Sequence, residues 1–376
     1  MDLSTWLLRH TPPRALVVTV PGGTEARLAV ERHVRERGWA TALSPAEANM
    51  LVVAGASGHA LEPFVERIWG LIPAPRTRVD VPAAEDARRE LDVAVRALHD
   101  AGHQRKQAAG TLPAADGQEP EHGGHAGQHS HDTMSSGHEH HGQHGHDMGG
   151  IRLPGDVPMA DRAKDRDGLK LDQLTVPLGP VLPLWPPGLV VRASLQGDVI
   201  QRAAVELVGV GDARRDSFWP RSGHRGPTAR RFDASAGLLA VAGWADAAAV
   251  ARRLRDHVLA GTPRAEIARP LRKWAGQVRR SRTLRWLLTG VGQVPDEPST
   301  PRALSGDALT RLYRWVGSVA DPRASAASPD AADGTPWAVD LLPRVLAGCE
   351  LATARLIVAS LDLDTAVLTG REAHHG

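Results

Sequence analysis

The chain has 376 residues, enough for two domains with separate hydrophobic cores, and its formal net charge at pH 7 is only +2. A charge so close to zero gives no reason to expect nucleic acid as a partner. No apolar run reaches the roughly 18 residues of a membrane span, and the first residues lack the basic and apolar regions of a signal peptide. We therefore expect a cytoplasmic protein without a transmembrane segment of its own.

A single cysteine, Cys349, limits the redox chemistry of the chain. One thiol forms no internal disulfide, and it cannot supply the set of protein ligands that an iron–sulfur cluster needs. Cys349 lies between Leu346 and Leu351 in a predicted helix, where a lone cysteine is typical of a small core residue. We therefore expect no Fe–S cluster.

The amino-terminal third alternates predicted strands with predicted helices. The strands are predicted at residues 14–20, 39–43, 50–54 and 76–81, and the helices at 25–37, 59–70 and 84–99. This alternation predicts an α/β domain over residues 1–103, with a small parallel sheet and helices on both faces.

Two glycine-rich turns follow predicted strands of this domain, at the edge where open α/β sheets usually bind ligands. The first turn, Pro21-Gly22-Gly23-Thr24, precedes a helix whose amino end would favour an anion. It matches neither GxGxxG nor a P-loop. A flavin or nucleotide at this turn is one interpretation, and a plain tight turn is the other.

Residues 121–150 are rich in glycine and histidine and lose the pattern of a folded domain. Nine of the 18 histidines of the chain lie there: His122, His125, His129, His131, His138, His140, His141, His144 and His146. Neutral imidazole is a ligand for Zn, Ni, Cu and Co. The tract predicts exchangeable sites for a divalent metal, Ni or Zn, within a disordered linker over residues 104–150. A linker that merely contains histidine is the alternative.

Residues 151–376 predict a β-hairpin followed by helices. Strand composition occurs at residues 169–178, 189–195 and 199–208, with a Gly197-Asp198 turn between the last two. Helical patterns follow at residues 234–259, 263–289, 305–319 and 341–360, the second kinked or restarted at Pro270. Together they predict an α+β domain with a hairpin and a helical bundle.

The second of these predicted helices is strongly basic. Its cations are Arg269, Arg272, Lys273, Arg279, Arg280, Arg282 and Arg285, with Trp286 among them. Such a face favours an acidic partner or a membrane surface. The alternative is an ordinary solvated face on which arginine stems cover apolar neighbours.

Two stretches resemble subunits of one family of redox enzymes. In residues 45–82, an aliphatic strand ends in Val53-Ala54-Gly55, a helix spans residues 63–69, and Pro73-Ala74-Pro75 leads into the next strand. This stretch resembles the cluster-bearing small subunit of complex I (NADH-quinone oxidoreductase) and of [NiFe]-hydrogenases. Gly179-Pro180-Val181-Leu182-Pro183, followed by the predicted hairpin, resembles the start of the large subunit.

Both stretches lack the reactive groups of that family. In the family a cluster cysteine follows the strand that corresponds to residues 76–81, but here that strand is followed by Pro82. The histidine-bearing loop at the family's quinone site is represented by residues 182–188, which contain no histidine. The paired CxxC motifs that hold Ni and Fe in hydrogenases are absent.

The resemblance implies a degenerate fusion of two subunits that, in the family, lie against each other and frame the quinone or Ni–Fe pocket. We expect an accessory or assembly component of a membrane-associated redox complex, with no catalytic residue and no cofactor beyond metal at the linker. It would be cytoplasmic and peripheral at the inner face of the membrane. A histidine-rich metallochaperone or metal store for Ni or Zn is the alternative.

Overall fold

The computed structural model describes residues 3–56, 58–111, 152–153, 157–158, 161–164, 170–210, 217–321 and 334–368. The helices are α1 (Leu3–Arg9), α2 (Thr24–Glu36), α3 (Glu62–Leu71), α4 (Ala87–His99), α5 (Ala101–Thr111), α6 (Phe218–Arg221), α7 (Gly226–Val241), α8 (Ala245–Ala260), α9 (Arg264–Arg280), α10 (Arg282–Leu288), α11 (Ala308–Ala320), α12 (Thr335–Leu346) and α13 (Leu351–Ser360).

The strands belong to a parallel sheet in the first half, an antiparallel sheet in the second half, and a two-stranded ribbon between them. They are β1 (Arg14–Thr19), β2 (Ala40–Thr41), β3 (Met50–Ala54), β4 (Thr77–Val81), β5 (Arg152–Leu153), β6 (Val157–Pro158), β7 (Asp161–Lys164), β8 (Lys170–Leu178), β9 (Leu189–Gln196) and β10 (Val199–Leu207).

The parallel sheet has the strand order β2-β1-β3-β4 and confirms the predicted α/β first half. All five residues of β3 are buried, because both faces of the sheet are covered. On one face, Val30 of α2 and Leu91 of α4 pack against Val52 and Val79 of the sheet.

The other face of this sheet is covered by both halves of the chain. Val65 of α3 packs there, in one cluster with Val18 and Val53. Val181 and Val208, which flank the strands of the second half, belong to the same cluster. The first half therefore completes its core with residues from the second half.

The antiparallel sheet confirms the predicted hairpin. β9 and β10 pair through the turn at Gly197, β8 pairs with the other edge of β9, and β7 extends the sheet beyond β8. Its inner face, which includes Val191 and Ala193, packs against Leu342 of α12 and Ile357 of α13. The alternation of apolar and polar residues in β9 fits a sheet with one covered face.

Helices α7 to α11 surround a second apolar cluster. Phe232 of α7 contacts Trp274 of α9 with ring centroids 5.6 Å apart. The indole Nε1 of Trp274 donates to the Ala247 carbonyl at 3.0 Å. Arg311 of α11 is fully buried and donates to Ser360 Oγ at 2.7 Å, and burial lowers its pKa to about 10. These contacts join α7, α8, α9, α11 and α13.

Three predicted helix boundaries were wrong. The pattern at residues 234–259 is divided between α7 and α8, because Gly243 adopts φ +81° and the Trp244 N–H closes the end of α7 on the Leu239 carbonyl at 2.8 Å. The pattern at residues 341–360 is divided between α12 and α13. The residues between these two helices form backbone hydrogen bonds with the β9–β10 hairpin. Cys349 therefore lies in a loop and not within a helix.

The third error concerns Pro270, at which the basic helix does not restart. α9 runs through Pro270 and ends at Arg280. Glu266 and Pro270 are both exposed, so water can satisfy the carbonyl that loses its helical donor. The restart occurs at Ser281, whose hydroxyl accepts from the Leu284 N–H at 3.2 Å.

Two further predictions concern the end of the first domain and the linker between the halves. α5 continues to Thr111, beyond the predicted end of the first domain. The disordered linker predicted at residues 104–150 lies outside the described residues from residue 112 onward, and the domain boundaries stay a prediction. No helix in the described ranges has both the length and the apolar character needed to cross a membrane.

Candidate functional site

The nine tract histidines, between residues 122 and 146, all lie outside the described residues. Their binding of Ni or Zn therefore stays a prediction. Within the described ranges, no group of three or more His, Cys, Asp or Glu side chains is placed to hold a metal ion. The described features with functional character lie where the two halves meet.

Glycines allow the two halves to approach closely. A Cβ on Gly188 would lie 2.8 Å from Pro21 Cγ, and Gly188 has φ +77°. A Cβ on Gly209 would lie 3.2 Å from Leu61 Cγ. Larger side chains at these two positions would push the second half away from the first.

The two glycine-rich turns of the first half pack against each other. A Cβ on Gly23 would lie 2.2 Å from the Ala54 carbonyl oxygen, and a Cβ on Gly55 would lie 2.6 Å from Gly23 Cα. The Gly23 N–H donates to the Val20 carbonyl at 2.8 Å. This packing accounts for both glycines and supports the tight-turn interpretation.

A network of charged side chains crosses the interface between the halves. From the first half it contains Arg27, Glu31 and Arg35, all on α2. From the second half it contains Asp233 on α7 and Arg252, Arg255 and Asp256 on α8. We call these seven residues the interface network. Its four guanidinium and three carboxylate groups nearly balance in charge.

Arg255 and Arg27 are the central cations of the interface network. Arg255 has no exposed surface, and its Nη1 donates to Glu31 at 2.8 Å and to Asp233 at 2.5 Å. Arg27 bonds the same two carboxylates, each at 2.7 Å. Arg35 pairs with Asp256 on the side of the network. Each central carboxylate therefore joins α2 to the second half.

The interface network keeps its carboxylates ionised. Burial alone would raise the pKa of Glu31, but the nearby charges of Arg27 and Arg255 hold it far below its usual value. Asp233 likewise has a lowered pKa, since the same two arginines outweigh its burial. Burial, reinforced by the charge of Arg255, lowers the pKa of Arg35 to about 10.

A cavity of about 440 Å³ lies between the halves, beside the interface network. Arg27, Glu31 and Asp233 form part of its wall, and residues 182–187 form another part. Residues 362–366, which follow α13, form a third part of the wall. The cavity has the size of an ordinary small-molecule pocket and combines apolar with charged walls.

The polar groups of the cavity are largely engaged within the protein. The Trp185 indole donates to the Leu189 carbonyl at 2.8 Å. Thr365 Oγ1 donates to the Pro187 carbonyl at 2.7 Å. Asp364 accepts from Ser217 Oγ at 2.5 Å. These bonds fix the shape of the wall and leave few groups there to react with a ligand.

Asp362 is a carboxylate of the cavity wall whose pKa is raised and not lowered. It is half-buried and has φ +49°, and its Oδ2 accepts from Arg230 Nε at 2.7 Å. Burial raises its pKa to about 6, although the charge of Arg230 opposes that rise. No His, Cys, Lys or Tyr occurs among the described residues that line the cavity.

The interface network was not predicted from the sequence. Residues 182–187 form part of the cavity wall, and their resemblance to a quinone-site loop stays a prediction. Arg27 and Glu31 are spaced i,i+4, which in a sequence looks like an ordinary pair on a solvated helix face. Nothing in the local pattern distinguishes such a pair from a buried one. Cys349, half-buried in its loop, lies outside the cavity wall.

No protein-family model matches the chain, and no curated protein or solved structure matches it.

Proposed function

We propose that the protein is an accessory or assembly component of a membrane-associated redox complex of the NADH-quinone oxidoreductase or [NiFe]-hydrogenase type. In this proposal it carries no electrons itself, is cytoplasmic, and binds other subunits at the inner face of the membrane. The two halves act as one body that preserves the contact between a small-subunit-like and a large-subunit-like domain.

The observation that carries this proposal is the cavity between the halves. Residues 182–187, which by resemblance take the place of a quinone-site loop, line it from the second half. Its described lining contains no His or Cys, and this composition supports the proposal of a body that holds other subunits in place. A body of this kind is suited to a structural role.

The interface network gives a second line of support. A fused accessory protein needs its halves to keep one relative position while partners bind. Ion pairs buried between α2, α7 and α8 suit that need, because their directional contacts favour one relative position of the halves over others.

The test is affinity isolation of the tagged chain from membranes of its own host, followed by quantification of the co-purified proteins. The proposal predicts subunits of one redox complex in fixed ratio to the chain. A test variant carries Arg255→Ala together with Asp233→Ala. Because these changes weaken the interface between the halves, we expect this variant to yield fewer partners. Purified chain that shows quinone reductase activity, or stoichiometric Fe–S absorption after anaerobic reconstitution, contradicts the proposal.

A metallochaperone or metal store is the second candidate, favoured by the nine histidines of the tract. Calorimetric titration with Ni²⁺ and Zn²⁺ should show several sites in the full chain and none of comparable affinity after deletion of residues 121–148. The affinity should fall below about pH 6, where the imidazoles protonate. A control variant replaces the exposed His59, His224 and His257 by Asn and should bind metal as the full chain does. Unchanged metal binding after the deletion contradicts this candidate.

A further inference from the structure

Five of the six basic residues of α9 form one exposed stripe. Its five members are Arg269, Arg272, Lys273, Arg279 and Arg280, all exposed. At the helical repeat they fall on the side opposite the buried residues Ile267, Leu271, Trp274 and Val278. α10 continues the charge with the exposed Arg282 and Arg285. We call these seven cations and Trp286 the basic surface.

The cations of the basic surface have no acidic partners within the described part of the chain. Glu266 is the single carboxylate in residues 264–288, and it lies at the exposed start of α9. An ordinary solvated face usually mixes charges of both signs. Because these positive charges are not neutralised by nearby carboxylates, the stripe can attract an external anionic surface.

Glycines lie beside two arginines of the basic surface. A Cβ on Gly276, at the centre of the stripe, would lie 3.0 Å from Arg280 Nη2, so the guanidinium folds over the space that this glycine leaves. Arg279 lies beside Gly317 of α11, with its Nη2 3.8 Å from where a Cβ would be. A larger side chain at Gly276 would therefore displace the Arg280 guanidinium.

Trp286 supplies the apolar part of the basic surface. It is 83% exposed, more than any other large hydrophobic residue of the described ranges. Its neighbour Arg285 and the nearby Arg282 carry charge on the same short helix. Tryptophan is enriched at the membrane–water interface, where its amphipathic ring sits at headgroup level.

We propose that the basic surface binds an anionic lipid bilayer, with the guanidinium groups on lipid phosphates and the Trp286 indole among the headgroups. Charge complementarity and the unpartnered tryptophan together favour lipid over an acidic protein. The inference does not rest on the function proposed above, because vesicle binding is a property of this surface alone. Each cation near an anionic membrane raises the partition coefficient roughly fivefold.

The experiment is sedimentation of the full chain with vesicles of pure phosphatidylcholine or of an equimolar mixture of phosphatidylcholine and phosphatidylglycerol. Binding is expected to the mixed vesicles alone, and it should weaken in high salt. The variant R269Q/R272Q/K273Q should bind about 100-fold more weakly. The control R67Q/R88Q/R202Q removes the same charge from exposed sites elsewhere and should change binding less than about threefold.

A second pair of variants tests the tryptophan. Trp286→Ala should weaken binding to the mixed vesicles several-fold, whereas Trp6→Ala, at another exposed tryptophan, should not. Thermal unfolding of each variant identifies any that is misfolded, and R269Q/R272Q/K273Q remains as the second readout.

Three results would overturn the proposal. The first is a folded wild-type chain that ignores the mixed vesicles at low salt. The second is equal binding to neutral vesicles, and the third is equal loss in the control triple variant. A chain that ignores vesicles but binds soluble polyglutamate, with loss in R269Q/R272Q/K273Q, would assign the basic surface to an acidic protein instead.

Discussion

Glu31 forms ion pairs with both central arginines of the interface network, Arg27 and Arg255. Replacing it by Gln removes one charge without changing the size of the side chain. The charge of Arg255, which has no exposed surface, is then balanced by fewer carboxylates. We expect Glu31→Gln to lower the free energy of unfolding by about 3 kcal/mol, measured by urea denaturation. Glu36→Gln, at an exposed site on the same helix, should change it by less than about 0.5 kcal/mol.

The same residue predicts a pH dependence with a definite sign. The pKa of Glu31 is lower in the folded protein than its usual value of 4.5, so its stabilising contribution is present above about that pH. The contribution is lost as the pH falls further, through the folded-state pKa. The stability difference between wild type and Glu31→Gln should therefore be constant near neutrality and shrink below about pH 4.5. A difference that grows on acidification would contradict this assignment.

Gly23 tests the packing of the two glycine-rich turns. A Cβ there would lie 2.2 Å from the Ala54 carbonyl oxygen, which is part of β3 and cannot move aside cheaply. We expect Gly23→Ala to lower the stability by about 3 kcal/mol, as overpacking of a backbone contact does. Gly70→Ala is the control, because a Cβ at that helical position meets nothing within 4 Å and should be neutral or slightly stabilising.

The start of α11 depends on one side chain. Asp307 Oδ1 accepts from the Thr310 N–H at 2.8 Å, and its Oδ2 accepts from the Gly290 N–H at 2.8 Å. These bonds outweigh its partial burial and lower its pKa. Asp307→Ala should cost about 2 kcal/mol in chemical denaturation, and Asp307→Asn should cost less because Asn also caps helices well. Equal losses in the two variants would show that the capping bond is unimportant.

At the scale of elements, the sequence predicted best where one local pattern decided the outcome. The apolar run of β3 and the alternation around Gly197 identified a buried strand and a hairpin. The prediction at residues 234–259 missed the break at Gly243, although glycine followed by an apolar residue is a common helix end. No local pattern indicated the break near Cys349, since it depends on bonds from the Gly348 N–H to the Ile200 carbonyl and from the Ile200 N–H to the Cys349 carbonyl.

The candidate site was less predictable than the fold. The interface network joins Glu31 to Arg255, residues 224 positions apart, and a local pattern carries no information on such contacts. The cavity depends on the same long-range packing. The sequence contains no local signal for the residues that line it, and the resemblance of residues 182–188 to a quinone-site loop stays a prediction.

At the scale of the whole molecule, the two halves are held together by the shared apolar cluster and the interface network. A covalent join is therefore unnecessary for their contact. A protease site inserted between residues 121 and 148 and then cut should leave two fragments that co-elute in size-exclusion chromatography. The same cut in the Arg255→Ala and Asp233→Ala double variant should release them. Separation of the wild-type fragments would contradict a stable interface.

The claim that the chain supports a redox complex without performing redox chemistry is tested most directly by deleting its gene. The measurement is the amount of assembled NADH- or hydrogen-oxidising complex in host membranes, by native electrophoresis with an activity stain. The account predicts a marked loss of assembled complex, restored by the wild-type chain and by the chain lacking residues 121–148. Full assembly in the deletion strain would contradict it.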